Sequence, residues 1–140
     1  MYQELLLATD GSDGARQATN HAIELANRLD AALHIVSVSE DGPHAEEKRD
    51  QMRTDLEDQA AEALEEAETK ATGHEIEVRT TIRHGVPQDE IIDAAEQHDA
   101  DMIVLGTVGR TGLDHLITGS VAEEVVRNAP VPVVTVRDQS

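Results

Sequence analysis

The 140-residue chain contains no cysteine, no tryptophan and no phenylalanine, and it has a single tyrosine. The lack of cysteine excludes disulfides, thiolate metal sites and cysteine nucleophiles. The lack of aromatic rings removes the stacking surfaces on which proteins bind single-stranded nucleic acid. The core must therefore consist of Leu, Ile, Val and Ala, and a bound adenine ring would have to lie between aliphatic side chains.

Long apolar runs are also missing, since none approaches the roughly 18 residues that cross a bilayer. The N-terminal MYQELLLATDGSD lacks a basic segment and leads into an acidic turn, so a signal peptide is not expected. We therefore expect a cytoplasmic protein. The length suits about one domain and no linker or repeat is visible, so residues 1–140 are expected to form one domain.

Basic residues are few: 11 Lys and Arg stand against 29 Asp and Glu, which gives a net charge of −18. A surface this negative repels DNA, RNA and anionic lipid, so neither nucleic acid nor a membrane is expected as a partner. The acids are spread along the whole chain rather than gathered in a tail. This distribution favours a halophilic domain, adapted to a cytoplasm whose high salt screens charge repulsion within a few ångströms.

Hydrophobic spacing predicts strands that alternate with helices along the chain. The predicted strands span residues 4–9, 32–38, 74–83, 102–106 and 131–137. The predicted helices span residues 13–29, 45–71, 87–98 and 120–128. The narrow alanine-rich stripe of the second helix favours packing on a sheet over a coiled coil. This alternation is typical of an α/β fold with a parallel sheet covered on both faces.

Four of the nine glycines lie in GTVGRTGLDHLITGS, residues 106–120. Gly106 and Gly109 directly follow a predicted strand, and Gly119 and Ser120 directly precede a predicted helix. A helix N-terminus presents free N–H groups and a partial positive charge, which suit a phosphate. Gly119 leaves room for the approach, and the Ser120 hydroxyl can donate a hydrogen bond. The segment is neither a Walker A loop nor a G-x-G-x-x-G dinucleotide motif.

A second candidate position follows the first strand, which ends at Asp10. Ligands of open α/β sheets bind outside the carboxyl ends of the strands, where the strand order reverses. If the first and fourth strands are neighbours, Asp10 and Gly106 face one crevice. Simpler alternatives remain at both places, because an Asp after a strand often serves a turn. Likewise Ser120-Val121-Ala122-Glu123 fits a helix capping box.

The spacing G-x2-G-x9-G-[ST] resembles the nucleotide-binding motif of the universal stress protein family. Other segments of the chain are similar to the family in the same order, namely LLLATDGSDGARQA, HGVPQDEII, MIVLGTVGRTG and APVPVVTVR. The resemblance covers nearly the whole chain, and the helix at 45–71 is its least characteristic part. The acidic composition is similar to that of family members from extreme halophiles.

The resemblance implies a Rossmann-like domain of the adenine nucleotide alpha hydrolase type, with five parallel strands in the order 3-2-1-4-5. It also implies a homodimer through the last strand and an ATP site. The residues that would line the adenine and ribose are Ala8, Thr9, Asp10, Val38 and Leu105. Those that would wrap the phosphates are Gly106, Gly109, Gly119, Ser120 and Val121, with Arg110 as a neutralising cation. Mg²⁺ or Mn²⁺ could accompany the phosphates, whereas the scattered histidines predict no dedicated metal site.

The leading functional interpretation is a regulatory nucleotide-binding dimer of the stress response, with little or no hydrolysis of ATP. A slow ATPase or nucleotide transferase is the first alternative, with Asp10 or Asp114 as its acidic residue. Asp114 and His115 are the candidates for a base near the phosphates, and no residue is assigned a catalytic role. A structural dimer that binds no nucleotide is the second alternative. A phosphoacceptor receiver domain is disfavoured, because the third strand ends Ile82-Arg83-His84 rather than in an acceptor aspartate.

Overall fold

The chain alternates strands and helices, as its sequence pattern predicts. The computed structural model describes residues 2–40, 50–107 and 119–137. The elements are β1 (Glu4–Ala8), α1 (Asp13–Leu29), β2 (Ala32–Ser39), α2 (Asp50–Thr72), β3 (Val78–His84), α3 (Pro87–Gln97), β4 (Met102–Thr107), α4 (Gly119–Asn128) and β5 (Val133–Arg137). All strand pairs are parallel, in the order β3-β2-β1-β4-β5. The predicted α/β class and strand order are confirmed.

Strand β1 lies at the centre of the sheet and is buried on both faces. Leu5 and Leu7 pack into the layer formed with α1 and α2, whereas Leu6 and Ala8 pack into the layer formed with α3 and α4. The buried residues of α1 are mostly alanines, so this helix lies close to the sheet and the strands supply most of the core volume. Within the described part of the chain, no helix is long and apolar enough to cross a membrane.

Strand β3 begins later than the alternation of residues 74–83 predicts. Its first residue, Val78, pairs with Leu33 of β2. The preceding residues form a turn after α2, in which the amide of His74 donates to the carbonyl of Ala71 and the amide of Ile76 donates to that of His74. Alternating side chains therefore did not suffice for a strand from residue 74, because the amides of His74 and Ile76 are bonded locally. The carbonyl of Glu77, directly before β3, already accepts from the amide of Leu33 in β2.

The other element boundaries agree with the predictions to within two residues wherever the chain is described. Strand β5 begins at Val133 rather than at residue 131, and Pro132, which lacks an N–H, stands just before it. Helix α4 begins at Gly119, one residue before the predicted start. Helix α2 begins at Asp50, and the predicted residues 45–49 lie outside the described part of the chain.

His34 is a buried polar residue in the middle of β2, with 3 % of its surface exposed. Its Nε2 lies 2.7 Å from the Thr81 hydroxyl, and its Nδ1 has no hydrogen-bond partner among the described residues. The His98 ring packs against it with the ring centroids 4.1 Å apart. Desolvation lowers the pKa of His34 to about 4, with further lowering by the charges of His98, Arg79 and Arg83.

Acidification from pH 7 to pH 5 is expected to cost about 2 kcal/mol of unfolding free energy through His34. The unfolded chain takes up the proton first, because histidine there keeps its ordinary pKa of 6.5. The native state is therefore penalised as the pH falls below 6.5 toward 4. Denaturant unfolding at both pH values should show a smaller acid loss in His34→Gln than in wild type, and an unchanged loss in the exposed control His21→Gln. Equal acid losses in wild type and His34→Gln would contradict this assignment.

Candidate functional site

A crevice begins where the carboxyl ends of β1 and β4 lie side by side. Ala8 of β1 pairs with Leu105 of β4, and the strand order reverses between these two strands. The chain leaves β1 toward α1 on one face of the sheet, and α4, which follows β4 in the chain, packs on the other face. Such a divergence is where open α/β sheets bind ligands. β1 and β4 are neighbours, which is the arrangement that lets Asp10 and Gly106 face one crevice.

Asp10 stands at the start of the turn that joins β1 to α1. Its Oδ1 accepts a hydrogen bond of 3.0 Å from the amide of Ser12. Gly11 has a φ of +81°, which favours glycine, and its amide donates to the Thr9 hydroxyl at 3.3 Å. The turn role that was the simpler alternative for Asp10 is therefore present, and its role toward a ligand stays a prediction.

Two helix N-termini follow the two strands that form the crevice, and they differ in the charge of their first turns. At α1, the Ser12 hydroxyl accepts from the amide of Ala15 at 3.2 Å, and Asp13 adds a negative charge in the first turn. Helix α4 begins at Gly119, and the part of it that the structure describes carries no acidic side chain in the first turn. Ser120 lies inside that turn rather than at the N-cap that the capping box requires. The N-terminus of α4 is therefore the better anion site of the two.

Four aliphatic residues named in the sequence analysis belong to one packed cluster beneath the crevice: Ala8, Val38, Leu105 and Val121. Val38 is 5 % exposed and Val121 is 7 % exposed, whereas Ala8 and Leu105 are almost fully buried. A contact of any of the four with a ligand remains a prediction. Partial desolvation raises the pKa of the Glu40 carboxyl, directly after β2.

Thr9 is buried beneath the crevice, and its backbone is hydrogen-bonded to β2. It is 2 % exposed, its amide donates to the carbonyl of Val36 at 3.0 Å, and its carbonyl accepts from the Ser37 hydroxyl at 2.8 Å. These bonds fix the backbone that carries Asp10. A contact between the Thr9 side chain and a ligand remains a prediction.

Gly106 has a packing role that the sequence analysis did not foresee. A Cβ atom at this position would overlap the carbonyl oxygen of Gly14 in α1 and would lie 2.5 Å from the carbonyl carbon of Gly14. Gly14 appears in the segment LLLATDGSDGARQA, but nothing in the sequence alone marks it as a neighbour of Gly106. The only available signal was a glycine inside an otherwise apolar strand, which indicates a close backbone approach.

A second concavity, of about 780 Å³, lies between α4 and β5, apart from the described crevice residues. It is lined by Thr107, Ala122, Glu123, Val126, Arg127, Thr135 and Arg137. The sheet brings Thr107 and Arg137 together, because they are paired across β4 and β5. No motif pointed to this groove, since its residues come from three separate segments.

Several predicted residues lie outside the described part of the chain. They are Gly109 and Arg110 of the glycine motif, together with Asp114 and His115. Among the residues that are described, no three His, Cys, Asp or Glu side chains come together as a metal site.

The comparison with known families decides the family of this domain. The sequence model of the Universal stress protein family matches residues 1–137. The chain belongs to the universal stress protein family. This match confirms the relationship that the glycine motif and the order of the other segments indicate.

Individual relatives agree with this assignment over nearly the whole chain. Universal stress protein MJ0531 of Methanocaldococcus jannaschii is 36 % identical over 98 % of this chain and 83 % of its own length. The structure of universal stress protein UspA from Lactobacillus plantarum is 28 % identical, covers 97 % of this chain and 98 % of its own, and superposes with a TM-score of 0.84. The universal stress protein from Archaeoglobus fulgidus, solved in complex with dAMP, is 25 % identical over 96 % of this chain and 98 % of its own, with a TM-score of 0.72.

Proposed function

We propose that this universal stress protein binds ATP in the crevice between β1 and β4. The observation that carries the proposal is the N-terminus of α4, which begins with Gly119 and, as far as the helix is described, has no acid in its first turn. A helix start of this kind offers N–H donors and a positive dipole end to a phosphate. Ser120 and Val121 continue this first turn. By the family resemblance, Gly109 and Arg110 of the glycine motif would also contact the phosphates.

The adenine end of the ligand is expected near Asp10 and Val38. Aliphatic side chains such as Val38 offer an apolar surface to the ring, in a chain that has no Trp or Phe to stack on it. The relative from Archaeoglobus fulgidus was solved with dAMP, which supports an adenine nucleotide as the ligand class. Three phosphates suit the long glycine motif, and Mg²⁺ or Mn²⁺ would share their charge.

The proposed function is regulatory, with ATP as a bound effector that is hydrolysed slowly or not at all. The first test is mass spectrometry of the nucleotide that co-purifies with the chain, followed by incubation with labelled ATP. We expect stoichiometric adenine nucleotide and no steady turnover. Steady turnover that is lost in Asp10→Ala would make the protein an enzyme, and a nucleotide-free chain that takes up no added ATP would contradict the proposal altogether.

We infer that two copies associate along β5. This strand forms one edge of the sheet, and Val134 and Val136 on it are only partly covered by the described residues. Val126 on the adjoining α4 is 54 % exposed. Sedimentation equilibrium should give about twice the chain mass of 15.2 kDa. A single species at the chain mass would contradict the dimer.

We also infer that the acidic composition is an adaptation to a cytoplasm of high salt. Most of the described ion pairs are between exposed side chains, and such pairs contribute little in water. The 29 acids repel one another when they are not screened. The melting temperature is therefore expected to rise by more than about 10 °C between 0.1 M and 2 M KCl, measured by circular dichroism, because the Debye length falls to about 3 Å near 1 M. A melting temperature that is independent of KCl would contradict the adaptation.

A further inference from the structure

Gly106 and Gly14 form the closest backbone contact between the sheet and a helix that the described glycines reveal. In addition to the overlap with the Gly14 carbonyl, a Cβ on Gly106 would lie 2.9 Å from the amide nitrogen of Ala15. Real Cβ atoms essentially never approach other atoms to less than 3.0 Å. The atoms concerned belong to the backbone, so no side-chain rotation could relieve the contact.

The contact lies on the α1 face of the sheet. Side chains alternate along β4, and Val104, two positions before Gly106, belongs to the layer that includes α1. Gly14 lies in the first turn of α1 and is itself buried. Because Gly106 has no side chain, the first turn of α1 can pack directly against the backbone of β4.

The first turn of α1 is also tied to the Asp10 turn. Ser12 caps the helix by accepting from the amide of Ala15, and the amide of Ser12 donates to Asp10 Oδ1. A displacement of Gly14 would therefore move Ser12 and, through it, Asp10. Gly106 stands at the end of β4, so the contact fixes one side of the crevice relative to the other.

We propose that Gly106 is a positioning residue, which acts by seating α1 and the Asp10 turn against the end of β4 rather than by binding phosphate itself. This inference rests on the proposed function, because it concerns the geometry of the same crevice. A positioning role and a phosphate-binding role of Gly106 predict different effects on the affinities for ATP and adenosine. A phosphate contact affects ATP and spares adenosine, which has no phosphate, whereas a displaced Asp10 turn affects both ligands alike.

The test compares the dissociation constants of ATP and adenosine for wild type and Gly106→Ala by isothermal titration calorimetry in 2 M KCl. We expect both constants to rise by a similar factor of about ten, since overpacking against backbone displaces it. Gly119→Ala is the contrasting variant, and its effect should fall on ATP alone. Leu64→Ala, a buried change in α2, controls for lost stability and should leave both constants unchanged. Loss of ATP binding alone in Gly106→Ala, or no change in either constant, would overturn the proposal.

Amide hydrogen exchange and a Ser12→Ala variant test the seating of α1 in two further ways. Amide hydrogen exchange without nucleotide should be faster in the first turns of α1 in Gly106→Ala and unchanged in α3, and an unchanged α1 would overturn the seating role. If wild type binds neither ligand, the proposed ATP site fails, whereas the exchange experiment still decides the seating. If Gly106→Ala does not fold, Ser12→Ala takes its place, because it removes the α1 cap and should raise both constants by an equal, smaller factor. A Ser12→Ala effect confined to ATP would contradict the proposal.

Discussion

Replacement of Gly119 by valine is expected to raise the dissociation constant for ATP by at least about 100-fold, equivalent to ~2.7 kcal/mol. Gly119 is the first residue of α4, and the first N–H groups of a helix have no partner within the helix itself. A branched side chain there would fill the space through which a phosphate must approach. Calorimetry with ATP in 2 M KCl measures the effect, and circular dichroism should show an intact fold.

Gly73→Ala is the matched glycine control. Gly73 directly follows α2, and a Cβ at this position would meet only the carbonyl oxygen of Lys70 at an ordinary 3.8 Å. Its affinity for ATP should equal that of wild type. An unchanged affinity in Gly119→Val would place the phosphates somewhere other than the start of α4.

Leu7→Ala is expected to lower the free energy of unfolding by about 3–5 kcal/mol. Leu7 is fully buried in the layer between the sheet and α1. The buried residues of α1 in this layer include Ala18, Ala22 and Ala26, whose single methyl groups cannot extend into the cavity. This loss is a large part of the 5–15 kcal/mol that stabilises a typical domain.

Denaturant unfolding at constant KCl measures this loss, and Leu29→Ala provides the same chemical change at an exposed position. Leu29 is the last residue of α1 and is 40 % exposed, so its replacement should cost about 1 kcal/mol or less. Similar losses for the two variants would show that the alanine-rich layer collapses around a cavity. That outcome would contradict the view that the strands supply the volume of this core.

The fold was predictable from sequence because its strongest signals are local. Continuous apolar runs such as Leu5–Leu7 and Ile103–Leu105 indicate central parallel strands, and helical spacing fills the segments between them. The strand order came from the resemblance, since periodicity does not determine which strands are neighbours. The start of β3 was missed because residues 74–77 alternate in polarity while the amides of His74 and Ile76 bond within the turn after α2.

The candidate site was predictable only where it depends on neighbours in the chain. The turn at Asp10 follows from the hydrogen-bonding habit of aspartate before a helix, and the structure contains it. The contact of Gly106 with Gly14 and the groove beside Arg137 join segments that are distant in sequence. Tertiary packing produces both features, and neither hydrophobic periodicity nor motif spacing in the sequence reveals them.

The most direct test of the central claim is an amide NMR titration of the full-length chain with ATP in molar KCl. The proposed site predicts saturable shifts at Asp10–Ser12, at Val38 and at Gly119–Val121, with one ATP bound per chain. It also predicts little change in the groove between α4 and β5, which Arg127 and Thr135 report. Shifts confined to that groove, or no shifts at millimolar ATP, would contradict the assignment of the crevice between β1 and β4 as the nucleotide site.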